Sequence, residues 1–327
     1  MNMFLRRFEY AHVAIFLGSF LLFQVQPMFA KSILPLFGGT SAVWTTCLVC
    51  FQLLLLAGYS YAYVLSKTSA TKQVRIHAIL IAVSAFIVLA GYLLGKSPIG
   101  ISHAWQPGGT TFPFLRVVSL LLVAVGLPYF VLSSTSPLFQ FWKRGDTSKE
   151  DLYSLYSVSN AGSLLGVVSY PIIVEPLLPL HLQLLLWSGV FCLYVIISFI
   201  ALRSIRHKAA GSESEHTYAA SLSNSYDQNC KISSWQRLSW IAMAACASAL
   251  LIGTTNQMCQ NVAPVPLLWM LPLGLYLVSF ILAFRVRATV SRDGYVGAVL
   301  ITTAMVVYVL MHPERVNMIA QVAIYST

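Results

Sequence analysis

Residues 23–44 read FQVQPMFAKSILPLFGGTSAVW and place two glutamines, one lysine and two prolines inside a strongly apolar segment. The rest of the chain is also apolar: 57% of its 327 residues are hydrophobic, 9% are charged, and the mean hydropathy is +0.75. This composition lies outside the range of soluble domains and predicts an integral membrane protein. The polar side chains of the quoted segment must therefore be accommodated at membrane depth.

Apolar runs of about 20 residues, the length that an α-helix needs to cross the hydrocarbon core, predict nine spans. They cover residues 10–30, 41–65, 76–95, 115–138, 152–175, 181–203, 237–258, 264–284 and 293–311. Residues 315–327 resemble the start of a tenth span, so the chain is either a piece of a longer protein or ends along the outer interface. The predicted fold class is an all-α, polytopic membrane helix bundle of about nine transmembrane helices with a partial tenth.

The lysine and arginine residues predict the orientation of these spans. With a cytoplasmic amino terminus, sixteen of the 20 fall on the inner side, and four fall on the outer side: Lys31, Lys96, Arg116 and Arg315. The bias alternates correctly at every span, as the positive-inside rule requires. We attribute the net charge of +10 to this orientation and expect no nucleic-acid partner.

A Ser-rich segment predicts how the chain is divided. Residues 204–236 include AAGSESEHTYAASLSNSYDQNC and indicate a flexible cytoplasmic linker. It would join a first six-helix bundle, residues 1–203, to a second, incomplete bundle, residues 237–327. Major facilitator-type transporters have this layout, which is an analogy of arrangement and not of site.

Three predicted spans carry polar residues near their outer ends, namely the first, the fifth and the seventh. Because hydrocarbon cannot satisfy such groups, they normally face the bundle interior or a water-filled cavity. We interpret them as the walls of an outward-facing polar pocket. The candidate substrate-binding residues are Gln24, Gln26, Lys31, Asn160, Glu175, Asn256, Gln257 and Gln260.

Each of these residues also has a structural explanation. Lys31 can snorkel to the outer head groups, and glutamine and asparagine can join helices by hydrogen bonds. Glu175 either lies in the interface or has a functional or paired role, with Lys31 as the opposite charge of the same layer. The prolines Pro171, Pro176 and Pro179 either expose backbone carbonyls to a ligand or end the span.

Two further motifs concern helix packing. Residues 133–136, between Pro128 and Pro137, predict a helix whose hydroxyls bond back to freed carbonyls, with an ion site as the alternative. A stripe of small residues in the fifth span predicts close packing against another helix: Ser159, Gly162, Gly166 and Ser169.

Enzymatic and metal chemistry have little support in the sequence. It contains no Gly-rich nucleotide-binding fingerprint, no Walker-type loop and no Ser/His/Asp or Cys/His constellation. Cys47 and Cys50 form a C-x-x-C inside an apolar helix, where a redox role is not expected. Met28, Met258 and Cys259 offer soft ligands for copper, but no closely spaced pair supports such a site. We therefore predict no enzymatic activity, no cofactor and no metal.

Four segments carry a resemblance to a known family: FQVQPMFAKSILPLFGGTSAVWTTCLVCFQLLLLAGYSYAY, LPYFVLSSTSPLFQFW, LYSLYSVSNAGSLLGVVSYPIIVEPLL and APVPLLWMLPLGLYLVSFILAF. They resemble the bacterial fused major-facilitator/spermidine-synthase-like membrane proteins, which implies a multi-pass protein of the bacterial inner (cytoplasmic) membrane. In that family an aminopropyltransferase-like domain with a nucleotide-binding α/β fold follows the membrane part. This sequence lacks the fingerprint of that domain, so the family's enzymatic activity is not carried over.

Two functions are compatible with these features. One is a transporter-like module with an outward-facing polar pocket, possible partners being the lipid bilayer and a small cationic solute such as a polyamine. The other is a non-transporting anchor or assembly subunit for a spermidine-synthase-like enzyme or another membrane complex, with a separate soluble or membrane partner chain. Polar residues in several spans favour transport, whereas the incomplete second bundle and the family's enzyme fusion favour assembly.

The charge pattern predicts that residues 204–236 are cytoplasmic and that the loop at 96–114 is periplasmic. Single cysteines at Ser223 and Gly109, in a background without the native cysteines, should react differently with an impermeant thiol reagent in intact cells. We expect labelling at Gly109 and none at Ser223. The reverse pattern would contradict the orientation.

Overall fold

The computed structural model describes residues 2–38, 41–95, 113–143, 149–211, 233–261, 270–285 and 292–312, together with residues 315, 317, 320, 321 and 324. Within these residues the chain is helical and contains no strand. Seven helical segments are long and apolar enough to cross a membrane, judged by length and composition over the same residues. The chain is therefore an all-α, multi-pass membrane protein. Helices suit the membrane because they satisfy their backbone hydrogen bonds within the span.

The helices follow one another in the order α1 (Asn2–Phe37), α2 (Ser41–Ser66), α3 (Ala70–Gly95), α4 (Pro113–Leu121), α5 (Leu127–Lys143), α6 (Lys149–Ser169), α7 (Glu175–Leu177), α8 (Leu180–Gly211), α9 (Ser234–Asn261), α10 (Met270–Arg285) and α11 (Arg292–Met311). Two five-residue π-helical turns connect consecutive helices without a break. Leu122–Gly126 joins α4 to α5, and Tyr170–Val174 joins α6 to α7. Each of these pairs forms a single span.

The seven segments correspond to the first seven predicted spans. The eighth and ninth predicted spans coincide with α10 and α11, which are helical but do not belong to the seven. The total of nine spans with a partial tenth therefore stays a prediction.

The predicted end of the first span was wrong. The first span does not end near residue 30, because α1 continues through Pro27 and Pro35 to Phe37. Membrane helices tolerate internal proline, since neighbouring groups can satisfy the carbonyls that it frees. The sixth predicted span, residues 181–203, agrees with the apolar segment Leu180–Ile205, and α8 itself continues to Gly211 through alanine, arginine and lysine, which favour helix. The rest of the predicted linker up to residue 232, and residues 96–112 of the predicted outer loop, lie outside the described residues.

The chain divides into two compact units, Met1–Tyr218 and Ala219–Thr327. In the first unit α1 is the central helix and packs against α5, α6 and α8. In the second unit α9 packs against α10.

Helices α1 and α6 are parallel. Ser19 contacts Ser159, and towards the carboxyl ends Lys31 contacts Glu175 in α7, which continues the span of α6. The partner numbers thus rise together along both helices. Helix α8 is antiparallel to α1: Trp187 near its start donates to the Leu21 carbonyl, and Ala201 near its end packs close to the start of α1.

The second pair of parallel helices is α2 and α5. Phe51 packs against Tyr129 with ring centroids 4.9 Å apart, and Leu65 packs against Leu138 nearer the carboxyl ends. Spans one and five therefore share one direction, and spans two and four share another. This is the relation expected from alternating spans, whichever side of the membrane holds the amino terminus.

The α1–α6 contact is unusually close because α6 presents glycine. A Cβ atom at Gly162 would lie 2.5 Å from the carbonyl oxygen of Phe16, and one at Gly166 would lie 2.8 Å from the carbonyl oxygen of Phe20. Both distances are shorter than van der Waals contact permits. The structure thus confirms that the small-residue stripe of the fifth span is a packing surface, and it identifies α1 as the partner.

Substitution of Gly162 by alanine should separate α1 from α6, because the new methyl group meets backbone that cannot rotate away. We expect Gly162→Ala to destabilise the detergent-solubilised protein by roughly 1–3 kcal/mol, the usual cost of overpacking. Gly189→Ala in α8 is the matched control, since no atom lies within 4 Å of its Cβ position. Thermal unfolding that affects both variants equally would contradict this explanation.

Candidate functional site

An ion pair joins the carboxyl-terminal ends of the first and fifth spans. The Nζ atom of Lys31 in α1 lies 2.6 Å from Oε1 of Glu175 in α7, and the two side chains are 35% and 31% exposed. The structure confirms the predicted pairing of these charges. Lys31 is therefore not an isolated snorkelling side chain, and the carboxylate of Glu175 has a cationic partner.

The backbone around Glu175 explains how its carboxylate is placed. The span ends in the π-helical turn Tyr170–Val174, where the N–H of Glu175 donates to the carbonyl oxygen of Tyr170. After Leu177 the chain becomes extended at Leu178, with φ −122° and ψ 131°. Glu175 is thus the first residue of the last helical turn before the chain reverses into α8.

Two carbonyls at the proline-rich end of the span accept hydrogen bonds from one side chain. The side-chain amide of Gln183 donates to the carbonyl oxygens of Leu178 at 2.8 Å and of Val174 at 3.3 Å. The second of these carbonyls also accepts the N–H of Leu178 at 3.2 Å. Of the two explanations for the prolines, the end of the span fits these contacts, because the side chain of Gln183 occupies the carbonyls.

Gln24 joins α1 to α6. Its side chain is 3% exposed, and its amide nitrogen donates to the Gly166 carbonyl at 3.1 Å and to the Ser169 hydroxyl at 2.8 Å. Gln26, on another face of α1, donates to the hydroxyl of Tyr129 at 3.0 Å. These contacts agree with the alternative in which glutamines serve helix packing.

Asn160 lies beside the seam, which is the contact surface between α1 and α6. Its neighbour Ser159 shares a hydrogen bond of 2.8 Å with Ser19, and the Ser163 hydroxyl donates to the Ser159 carbonyl at 3.0 Å. The Nδ2 atom of Asn160 is buried and has no hydrogen-bond partner within the described part of the chain. Asn160 therefore keeps a donor available for another group, as a residue of a polar pocket requires.

The remaining candidates belong to the second unit. Asn256, Gln257 and Gln260 lie on the last turns of α9, but their side chains fall outside the described residues. The outward-facing polar pocket therefore stays a prediction. The candidate residues that the structure describes lie at the carboxyl-terminal ends of α1 and of the span formed by α6 and α7, and along the contact between α1 and α6.

The hydroxyls of residues 133–135 follow the helix-bonding interpretation. Ser133 donates to the Phe130 carbonyl at 2.8 Å, and Ser134 donates to the Val131 carbonyl at 2.9 Å. Thr135 also bonds the Val131 carbonyl and shares a hydrogen bond of 2.6 Å with Tyr194. These carbonyls belong to the regular helix and are not the one freed by Pro137, so the predicted source of the acceptors was wrong.

A buried polar cluster at the other end of the first unit was not predicted. His77 in α3 is 0% exposed and lies between the rings of Tyr61 and Trp142, with centroid distances of 6.1 and 5.8 Å. Trp142 donates to Gln73 Oε1 at 2.7 Å, and the amide nitrogen of Gln73 donates to the carbonyls at the end of α2. The sequence feature that could have predicted this cluster is the four-residue spacing of Gln73 and His77, which places both side chains on one face of α3.

The described residues contain no group of three or more His, Cys, Asp or Glu side chains that could hold a metal ion. Cys47 and Cys50 are free, buried thiols in α2. No protein-family model, curated protein or solved structure matches this chain. Its functional assignment therefore depends on the geometry of the residues described above.

The two charges should depend on each other for stability. Glu175→Gln leaves the lysine unpaired, Lys31→Met leaves the glutamate unpaired, and the double variant removes both charges. In a thermal-unfolding cycle on solubilised protein we expect a coupling of roughly 0.5–3 kcal/mol. Additive effects of the two substitutions would show that the contact contributes nothing to folding.

Proposed function

We propose that this protein is a transporter-like membrane module whose outer site binds a small cationic solute, such as a polyamine. The observation that carries the proposal is the Lys31–Glu175 ion pair, in which about a third of each side chain is exposed (35% and 31%). Glu175 supplies a carboxylate at the outer end of two packed spans, and it already holds an ammonium group. A solute ammonium has the same charge and the same hydrogen-bonding groups as Lys31.

Exchange of one ammonium for another avoids the main cost of binding a charge in a membrane protein. Removing a buried partner leaves an uncompensated charge, and that is strongly destabilising. In an exchange, Glu175 stays paired throughout while Lys31 moves towards the outer head groups on its flexible side chain. Lys31 is then a built-in competitor that keeps the site neutral when no solute is bound.

The surroundings of this site complete the proposal. The charge pattern favours a cytoplasmic amino terminus and an outward-facing site. A bacterial inner membrane is what the resemblance to the spermidine-synthase-like membrane proteins implies. Asn160, with its buried amide donor, is a second polar group for the solute path. We propose no enzymatic activity for this chain, and the relationship to the spermidine-synthase-like membrane proteins remains a hypothesis.

Assembly with another protein is the second candidate function. It is supported by the hydrogen bonds that Gln24 and Gln26 form between helices of the first unit, because these bonds leave fewer polar groups for a solute. In that case the protein would anchor a separate soluble or membrane chain, such as a spermidine-synthase-like enzyme. A partner encoded next to this chain and purified in a fixed ratio with it, without solute binding, would favour this function.

The exchange mechanism predicts opposite effects of the two charges on solute binding. Lys31→Met should tighten the binding of putrescine or spermidine to the solubilised protein, because the competing ammonium is gone. Glu175→Gln should weaken it about tenfold or more, since a charged hydrogen bond contributes about 1.5–3 kcal/mol. Binding is measured by isothermal calorimetry, and uptake is measured in proteoliposomes.

Two controls accompany this experiment. Lys67→Met removes a lysine that lies over the ring of Tyr63, away from the ion pair, and should leave binding unchanged. The double variant of Lys31 and Glu175 should also fail to bind, which separates loss of the carboxylate from the effect of an unpaired lysine. Equal affinity of the wild type and Glu175→Gln would contradict the proposal.

A further inference from the structure

Gln183 connects three parts of the outer end of the fifth span. It lies near the start of α8 and is 2% exposed. Its amide nitrogen donates to the carbonyls of Val174 and Leu178, and its amide oxygen lies 3.4 Å from the hydroxyl of Tyr170. The side chain is therefore bound to residues on both sides of Glu175 in sequence.

The contacts of Gln183 span the segment in which regular helix geometry is lost. Tyr170 opens the π-helical turn, Val174 closes it, and Leu178 is the extended residue after α7. Pro171 and Pro176 cannot donate backbone hydrogen bonds, so this segment has fewer internal bonds to define its shape. The amide of Gln183 adds two side-chain bonds to the carbonyls of this segment.

We propose that Gln183 is a positioning residue for the outer site: it fixes the segment 170–178 so that the carboxylate of Glu175 meets Lys31. The ion-pair part of this inference stands on the contacts alone, and its meaning for solute binding rests on the proposed function. A glutamine suits this task because one planar amide can donate twice and accept once in a fixed arrangement. A side chain without donors would remove the bond that the Leu178 carbonyl accepts at 2.8 Å and leave the end of the span free to shift.

The test measures whether Lys31 and Glu175 remain coupled when Gln183 is changed. The thermal-unfolding cycle of Lys31→Met and Glu175→Gln is repeated in a Gln183→Leu background and in a Ser188→Ala background. Ser188 is a matched control, because it is also buried in α8 and its hydroxyl donates to the Leu184 carbonyl of the same helix. We expect the non-additive shift in melting temperature to fall by more than half with Gln183→Leu and to persist with Ser188→Ala.

Undiminished coupling in the Gln183→Leu background would overturn the proposal. If this variant does not fold, Gln183→Met replaces it, since methionine keeps the unbranched length of glutamine but has no hydrogen-bond donor. Failure of both variants to fold, while Ser188→Ala folds, would also overturn it, because Gln183 would then serve folding and not the position of Glu175.

Calorimetry with putrescine separates this inference from the proposed function. If the wild type does not bind putrescine but the coupling depends on Gln183, the positioning role stands and the transport proposal fails. If the wild type binds putrescine and Gln183→Leu changes neither the coupling nor the affinity, the transport proposal stands and the positioning role fails.

Discussion

The close approach of the α1 and α6 backbones fixes the relative position of the first and fifth spans. Without side chains at Gly162 and Gly166, the carbonyls of Phe16 and Phe20 come within 2.5 and 2.8 Å of the positions that a Cβ would occupy. Lipid tails are as apolar as the side chains they would replace, so association of membrane helices depends on such packing and on hydrogen bonds between them. The register of the two helices follows from this contact.

The same register determines which polar groups meet. Beyond the glycine contacts, Gln24 donates to the Ser169 hydroxyl at 2.8 Å, and nearer the carboxyl ends of the two spans Lys31 pairs with Glu175 at 2.6 Å. Hydrogen bonding within the bundle replaces the water that the hydrocarbon core cannot supply. The ion pair differs from the bonds below it because its side chains remain partly exposed, which is why the proposed solute exchange is assigned to that level and not to the buried seam.

Much of this seam was predictable from the sequence, and there are physical reasons why the rest was not. Small residues at three- and four-residue spacings identified the packing face of the fifth span, and charge scarcity pointed to the pairing of Lys31 with Glu175. The continuation of α1 beyond residue 30 was missed because proline inside a membrane helix costs less than the pattern suggests. Gln183 was missed because its contacts depend on the chain reversal after Leu178. A glutamine near the start of a helix does not by itself indicate which carbonyls its amide will contact.

Disulfide formation between cysteines at Ser19 and Ser159 tests the α1–α6 register most directly. Their hydroxyl oxygens lie 2.8 Å apart, so the account predicts rapid cross-linking on mild oxidation in a background without the native cysteines. Cysteines at Ser19 and Ser169 should not cross-link, because ten residues of helix separate Ser169 from Ser159 by about 15 Å. Cross-linking of the second pair without the first would contradict the register on which the ion pair and the proposed site depend.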